Sequence, residues 1–492
     1  MSDIQIGPIG FLRWAWRSLT TMRTALVLLL LLAIAAIPGS IYPQRGISDA
    51  KVRDYFEANP DLAPILDRLS FFDVYRSPWF AAIYLLLMVS LVGCIVPRMR
   101  QHWIAMRAEP PAAPRNFTAL PHYASYPARG TELAAIESWL RRKRFRIKQE
   151  ADWIAAEKGF SRESGNLLFH LSILLVLFGV GIGAFGGYRG QVIIKEGDSF
   201  SNVLAQYDSF IPGSRLDPAS LQPFWITLNR FDVTWEPTPA GITPQPKDFR
   251  AYVTAKDTPD SKAREQVVEV NRPISFGGPS MFLVGHGYAL EIRIKDKAGN
   301  IVFDNDVVFL PRDGNFTSDG VVKVPDMTPQ LGLRAIFAPT AVLDASGVRS
   351  RYPDPVEPKL FLSAWTGDLG LDDGTPQNVF QLDTTNLTQI GLTELAPGAV
   401  WSLPVGSVEF VGIKRFATFN VNHDPGTTVA LASSALLMFG LLLMLYIQRR
   451  RYWIRGRIDA DGNPVIEIAG LAKNHMANIE SEFAALVSAG KE

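Results

Sequence analysis

The chemistry open to this chain rests on a few isolated side chains. His170 lies in "GNLLFHLSILLVLFGVGIG", residues 165–183, where nothing else is ionisable. An imidazole is costly in hydrocarbon unless it faces protein, water or a ligand, so an intramembrane one is a functional candidate by default. Three jobs are open to it: a hydrogen bond to a neighbouring helix, a proton relay, or ligation of a metal or haem iron through a neutral ring nitrogen. A relay needs a chain of ionisable groups, and the interiors of the apolar blocks carry no Asp, Glu, Lys or Arg. Cys94 stands in a second apolar block at a comparable depth. As a thiolate it would ligate haem or a soft metal, but a membrane-helix cysteine more often packs as a small apolar group. His286 in "VGHGY" reads as a ligand bared by two glycines or, more simply, as a turn histidine, since it lacks the clustered partners of a metal site. His423 in "NHDPG" reads as an interfacial polar residue or as a group touching a ligand held there.

These residues sit in a chain of 492 residues, long enough for several domains, of which 47% are apolar and gathered in blocks. The net charge of +1 and the lack of basic stretches interleaved with aromatics speak against a nucleic-acid binder. With one cysteine, disulfide frameworks, thiolate zinc clusters and CxxC redox motifs are excluded within the chain.

Four blocks reach the roughly 20 residues that a membrane span needs: residues 24–43, 78–97, 166–186 and 427–447. The small residues of the first invite reading it as a cleaved targeting segment. The arginine asymmetry makes sense only if it stays as a span. Arg13, Arg17 and Arg23 precede span one; Arg98, Arg100, Arg107 and "RRKRFRIK" (141–148) lie between spans two and three; "RRRYWIRGR" (449–457) follows span four. Cytoplasmic flanks carry the Lys and Arg excess. The expected topology therefore has cytoplasmic segments 1–23, 98–165 and 448–492, and extracytoplasmic segments 44–77 and 187–425. The fold class is a polytopic membrane protein with four transmembrane α-helices and a large β-rich extracytoplasmic domain between helices three and four.

In that domain, 192–200 and 249–257 read as strands bounded by turn formers. In "ITLNRFDVTW" the apolar alternation changes phase, which predicts a bulge near Asn229. Residues 290–310 read as a hairpin turning at 297–300. The expectation is a β-sandwich-like domain without a catalytic constellation. Asp424 is placed to cap the fourth span and Pro425 to enter its first turn. A small hairpin is expected around Asp461-Gly462 in the tail.

On a helix at 100° per residue, Asn166, Leu174, Leu177, Gly181 and Ala184 fall within about 40° of His170. Gly179, Gly183 and Gly187 recur every fourth residue on the other side, a small-xxx-small surface for close helix packing. Span three is thus expected inside a bundle, where His170 need not face lipid.

Taken in order, the fragments resemble the ResB (CcsB) family of System II cytochrome c maturation. "PGSIYPQ" resembles its ending of span one through Gly39, Pro43 and Gln44. "FFDVYRSPWF" to "SLVGCIVPR" resembles its second span through Asp73, Tyr75, Trp79, Cys94 and Arg98. The His170 segment resembles its third span, "VNRPISFGGPSMFLVGHGY" a strand-turn of its outer domain through Asn271 and Pro273, and "NHDPG" with "RRRYWIR" its ending.

The resemblance implies a subunit of the cytochrome c synthase complex, not an enzyme by itself. The family acts with a Trp-rich ResC/CcsA-type membrane protein whose signature is absent here. Together they are thought to carry haem b outward, as a transient cargo, for thioether attachment at CxxCH of apocytochrome c. A thioredoxin-like protein of ResA/CcsX type keeps the client thiols reduced. The family's transmembrane histidine, a haem axial ligand, falls on His170. Arg98 and Arg162 would be propionate partners or ordinary inner-rim anchors. The competing reading is a membrane-anchored scaffold whose outer β-domain binds apocytochrome c or another client without ligating haem. A small-molecule transporter would show inverted repeats, which the uneven spans lack.

Overall fold

Backbone amides left unpaired in hydrocarbon are so costly that a membrane crossing must be a helix or a closed barrel. The computed structural model, which describes residues 7–236, 244–345, 347–371, 380–459, 461–472 and 479–491, follows the first solution. The chain divides into two units, Met1–Gly181 with Gly426–Glu492, and Ile182–Pro425. Residues 1–6 of the N-terminal segment and 473–478 of the tail lie outside the described residues.

The first unit contains α1 (Pro8–Leu19), α2 (Met22–Ile41), α3 (Asp49–Ala58), α4 (Ala63–Arg68), α5 (Pro78–Arg107), α6 (Glu132–Arg142), most of α7 (Ser161–Gly186), α8 (Thr427–Tyr446) and α9 (Glu480–Lys491). Helices α2, α5, α7 and α8 are long and apolar enough to cross a membrane. Two of them outrun the apolar blocks. α5 continues through Pro97 to Arg107, and α7 begins at Ser161 instead of residue 166. The extensions hold polar residues that a hydropathy reading assigns to loops. α8 starts at Thr427 with Gly426 as its N-cap and no side-chain cap, so Asp424 and Pro425 lie ahead of the helix instead of forming its first turn.

Glycines set the contact between α7 and α8. A Cβ on Gly440 would stand 2.7 Å from the Phe169 nitrogen and 2.8 Å from the Gly165 carbonyl oxygen, and one on Gly179 would stand 2.9 Å from the Ala430 nitrogen. Backbone meets backbone at both heights; of the glycines singled out by spacing, Gly179 makes this contact, whereas Gly183 faces the Asp424 side chain.

The segment 44–77 is itself folded. Gln44 donates to the Phe71 carbonyl at 2.9 Å and accepts from the Val74 amide at 3.1 Å. Arg45 bridges Asp67 and Asp73 at 2.7 and 2.6 Å. Tyr42, Tyr55, Phe71 and Phe72 form an aromatic cluster, and Gly39 admits the Tyr75 ring. Several residues that carry the family resemblance therefore have a structural job here: they close this cap.

The basic segment between α5 and α7 is no simple loop. Its strands His122–Pro127, Arg146–Gln149 and Trp153–Lys158 join the tail strands Arg450–Ile458 and Pro464–Ala472 in one five-stranded antiparallel sheet. The expected hairpin at Asp461-Gly462 forms, with Gly462 at φ 85°, and is also paired on both edges. Ile136, Leu140, Ile154, Tyr452, Ile468 and Leu486 fill the core beneath α6 and α9. The end of α5, the start of α7 and the end of α8 thus all lead into one small α/β body.

The second unit is β-rich. Its strands alternate buried and open residues, as Tyr188–Lys195 and Lys359–Thr366 illustrate. An eleven-stranded sheet and a four-stranded sheet carry it, and two long strands, Ser280–Asp296 and Gly406–His423, pair along their length. One end of this pair packs on the four-stranded sheet around Phe200, Ile226, Phe231, Val253 and Phe419, an arrangement of sandwich type. The other end belongs to a core built within the large sheet, around Leu290, Leu333, Phe337, Leu362 and Phe410. The unit is thus a sandwich plus a second lobe rather than one sandwich. The bulge stands at Asn229, between Leu228 and Arg230, and the hairpin turns at 297–300.

Gly440→Val forces a branched side chain into the α7–α8 backbone contact. We expect it to lower the stability of the detergent-solubilised protein by about 1–3 kcal/mol, read as an earlier aggregation onset on heating. Gly181→Ala, where a Cβ meets nothing within 4 Å, should leave that onset unchanged.

Candidate functional site

His170 is held by the helix that carries it. Two hydrogen bonds tie α7 to α5, one on each side of the histidine. His102 Nε2 and Ser164 Oγ are 2.9 Å apart, and Tyr84 Oη donates to the Leu177 carbonyl at 2.8 Å. His170 lies about 9 Å along the axis from the first tie and about 10 Å from the second. With α8 packed on its glycines, α7 cannot slide or turn freely.

The imidazole is half-buried and meets Phe169 edge-on at 5.3 Å between ring centres. Among the described residues neither ring nitrogen has a hydrogen-bond partner. The charge acting on it is the Arg98 guanidinium of α5. Arg98 has no carboxylate partner among the described residues, and its Nη2 rests 3.4 Å from Met22 Sδ. Arg162 already has an interaction of its own.

Cys94 has a packing role. Its thiol donates to the Thr20 carbonyl at 3.2 Å, which helps hold the turn between α1 and α2. Among the described residues no group of three or more His, Cys, Asp or Glu could hold a metal ion.

His102 was not singled out by composition or spacing. It is buried on the part of α5 beyond Pro97, and its Nδ1 lies 3.6 Å from Glu163. Glu163 also meets Arg449 at 2.6 Å, and Arg449 reaches the buried Glu157 at 2.5 Å. The signal for this cluster was the apolar periodicity of Met99, Trp103 and Met106, which carries the helix past the proline.

His286 is not a turn residue. It stands mid-strand at the waist between the two lobes, ringed by Phe231, Phe249, Trp235 and Phe316, the last stacked at 4.6 Å. Gly287 leaves room for the Phe416 ring. Burial, aided by the Arg415 guanidinium and opposed by the Asp354 carboxylate, pushes the His286 pKa down to about 4. His423 ends its strand and packs on the Tyr188 ring at 5.5 Å, with Nδ1 buried and without a hydrogen-bond partner.

The model of the ResB-like family matches residues 22–484, nearly the whole chain. The chain belongs to the ResB-like family. The cytochrome c biogenesis protein CcsB of Gloeobacter violaceus is 27% identical over 493 residues, covering 96% of this chain and 90% of that protein. The protein of the same name from Synechococcus sp. strain CC9311 is 24% identical over 489 residues, covering 97% and 98%. That from Thermosynechococcus vestitus is 30% identical over 279 residues, 54% of this chain and 59% of its own length. In this ResB-like chain the match spans all four apolar helices and the β-rich unit, so the family accounts for both units together.

The His286 environment gives a pH prediction. An unfolded imidazole binds its proton near pH 6.5 and the folded one only near 4. The stability that neutral His286 allows is therefore complete above pH 6.5 and is lost as pH falls from 6.5 towards 4, by up to about 3 kcal/mol. Thermal unfolding of the full chain between pH 7.5 and 4.5 should show this loss. His286→Phe should flatten it, and an unchanged slope would remove His286 as its source.

Proposed function

We propose that this ResB-like protein is the haem-handling subunit of a System II cytochrome c synthase, with His170 as an axial ligand to haem iron during transfer. The observation that carries the reading is an imidazole within a bilayer-length helix, fixed on both sides, with its ring nitrogens unengaged among the described residues. A neutral imidazole nitrogen is the usual protein ligand to haem iron. Arg98, the charge acting on that ring, is suited to a propionate as a charge-assisted partner.

The topology that goes with this reading puts the N-terminus, the small α/β body and the tail in the cytoplasm, and the β-rich unit and the 44–77 cap outside. Two facts support it. The arginine-rich flanks of α5, α7 and α8 lead into the same body, and the start of α2 is pinned to the inner half of α5 through Thr20 and Cys94. Basic flanks mark the cytoplasmic side.

In the reaction assigned to the complex, each client thiol adds across a haem vinyl group. One C–S bond forms, and the thiol proton goes to the vinyl carbon. The thiols belong to apocytochrome c and further haem ligands to a ResC/CcsA-type partner. This chain supplies a ligand and a fixed position, and proximity is a large part of what such an addition needs. A thioredoxin-like reductant would keep the client thiols free.

The test is an ultraviolet–visible spectrum of the chain purified with its ResC-type partner. The native complex should show a Soret band, His170→Ala and His170→Gly should lose most of it, and added imidazole should restore it. An unchanged band in both variants would overturn the assignment and leave a client-binding scaffold as the better description.

A further inference from the structure

Helix α1 has no buried residue, yet its sequence, "PIGFLRWAWRSL", is strongly apolar. Ile9, Leu12, Trp14, Phe11 and Trp16 are 75, 66, 59, 56 and 53% exposed. At 100° per residue, Phe11, Ala15, Pro8, Leu19, Leu12, Trp16 and Ile9 follow one another around an arc of about 160°. Arg13 and Arg17 fill the opposite side, and Trp14 sits at its edge. Twelve residues rise only about 18 Å, too little to cross a bilayer.

The depth of this helix is set by its elbow. Ser90 donates to the Leu19 carbonyl at 2.6 Å, Cys94 to Thr20 at 3.2 Å, and Thr24 to Ser18 at 2.6 Å. The end of α1 is therefore level with Ser90–Cys94 on α5. The first arginine of α5, Arg98, stands four residues further along, about 6 Å. An in-plane amphipathic helix sits about 5–10 Å deep, at the boundary between headgroups and acyl chains. Trp16 lies against α5 at Gly93, and the elbow delivers the rest of the arc, exposed at Ile9, Phe11 and Leu12, to the depth at which such a helix rests. The charge is one-sided as well: no Asp or Glu stands between Asp3 and Asp49, whereas Arg13, Arg17 and Arg23 all do.

We propose that α1 is an in-plane membrane anchor. Its apolar arc enters the acyl boundary of the leaflet on the arginine-rich side, and Arg13 and Arg17 meet anionic phospholipid headgroups. This does not depend on the haem assignment. A second protein helix is the rival occupant of the same face, but two arginines without a facing carboxylate among the described residues, at headgroup depth, fit phosphate better.

The test uses the full chain in nanodiscs of phosphatidylcholine with or without phosphatidylglycerol, in a Cys94→Ser background that keeps a donor for Thr20. A polarity-sensitive fluorophore is attached to Leu12→Cys on the apolar arc or to Gly10→Cys on the polar face. The Leu12 label should be quenched at least about twofold by lipids with a doxyl group near the headgroup, and shielded from aqueous iodide. The Gly10 label should behave oppositely. Phosphatidylglycerol should deepen the Leu12 label, and Arg13→Gln with Arg17→Gln should abolish that difference. Iodide access to Leu12 in both discs would overturn the proposal. So would shielding from iodide and doxyl lipid alike, which would place protein on the face.

Discussion

The junction between α7 and α8 on the arginine-rich side closes on a buried carboxylate. Glu157 is almost wholly enclosed and meets Arg449 at 2.5 Å and Arg451 at 2.8 Å. A carboxylate taken out of water is tolerated only with partners of this kind, and loss of one partner costs far more than the pair is worth. Arg449 leaves α8 and also grips Glu163 on the first turn of α7, while Glu157 lies in the strand that precedes α7. The exit of one span and the entrance of another are thus registered by the same charges. That register fixes Ser164, His102 and the height of His170 above them.

The histidines differ in what surrounds them. His102 has a hydroxyl and a carboxylate beside it. His286 has four aromatic rings and a strongly depressed pKa, so it fills a waist as a neutral group. His423 packs on a tyrosine at a strand end. His170 alone among these stands in an apolar span with one ring neighbour and an unpaired arginine acting on it. Among the described residues His286 and His423 also have a buried Nδ1 without a hydrogen-bond partner, and His170 differs from them in standing on a bilayer-length helix.

Much of this was legible in the sequence because the membrane imposes a simple code. A run of apolar residues long enough to cross reports a helix whatever it packs against, and the four spans follow. The glycine spacing of α7 reports a close contact, since only a missing side chain brings two backbones together. The phase change at Asn229 and the turn at 297–300 are local signals, and both are realised. What stayed hidden depends on pairing between distant segments. Nothing local says that Trp153–Lys158 should pair with Arg450–Ile458, nearly 300 residues on, so the basic segment reads as a loop. The helices outrun the apolar blocks for a related reason. Hydropathy marks where lipid stops, but hydrogen bonding continues past Pro97 and begins at Ser161, and the polar residues at those ends carry the ties that set the site. Within the site, His170 was legible as an anomaly of composition. Its lack of a partner was not, because that depends on what α5 and α8 bring near it.

The β-rich unit bears on the division of labour. Its two cores are filled with Phe, Leu, Ile and Val, and its most unusual polar group, His286, is enclosed by rings. Large interior residues packed in this way leave a folded body whose chemistry is confined to its surface. The first unit carries one imidazole on a helix tied to its neighbour at two heights, and the second is a β body with two apolar cores. The geometry of that helix is preserved by the glycine contacts, the paired ties on α7 and the buried Glu157.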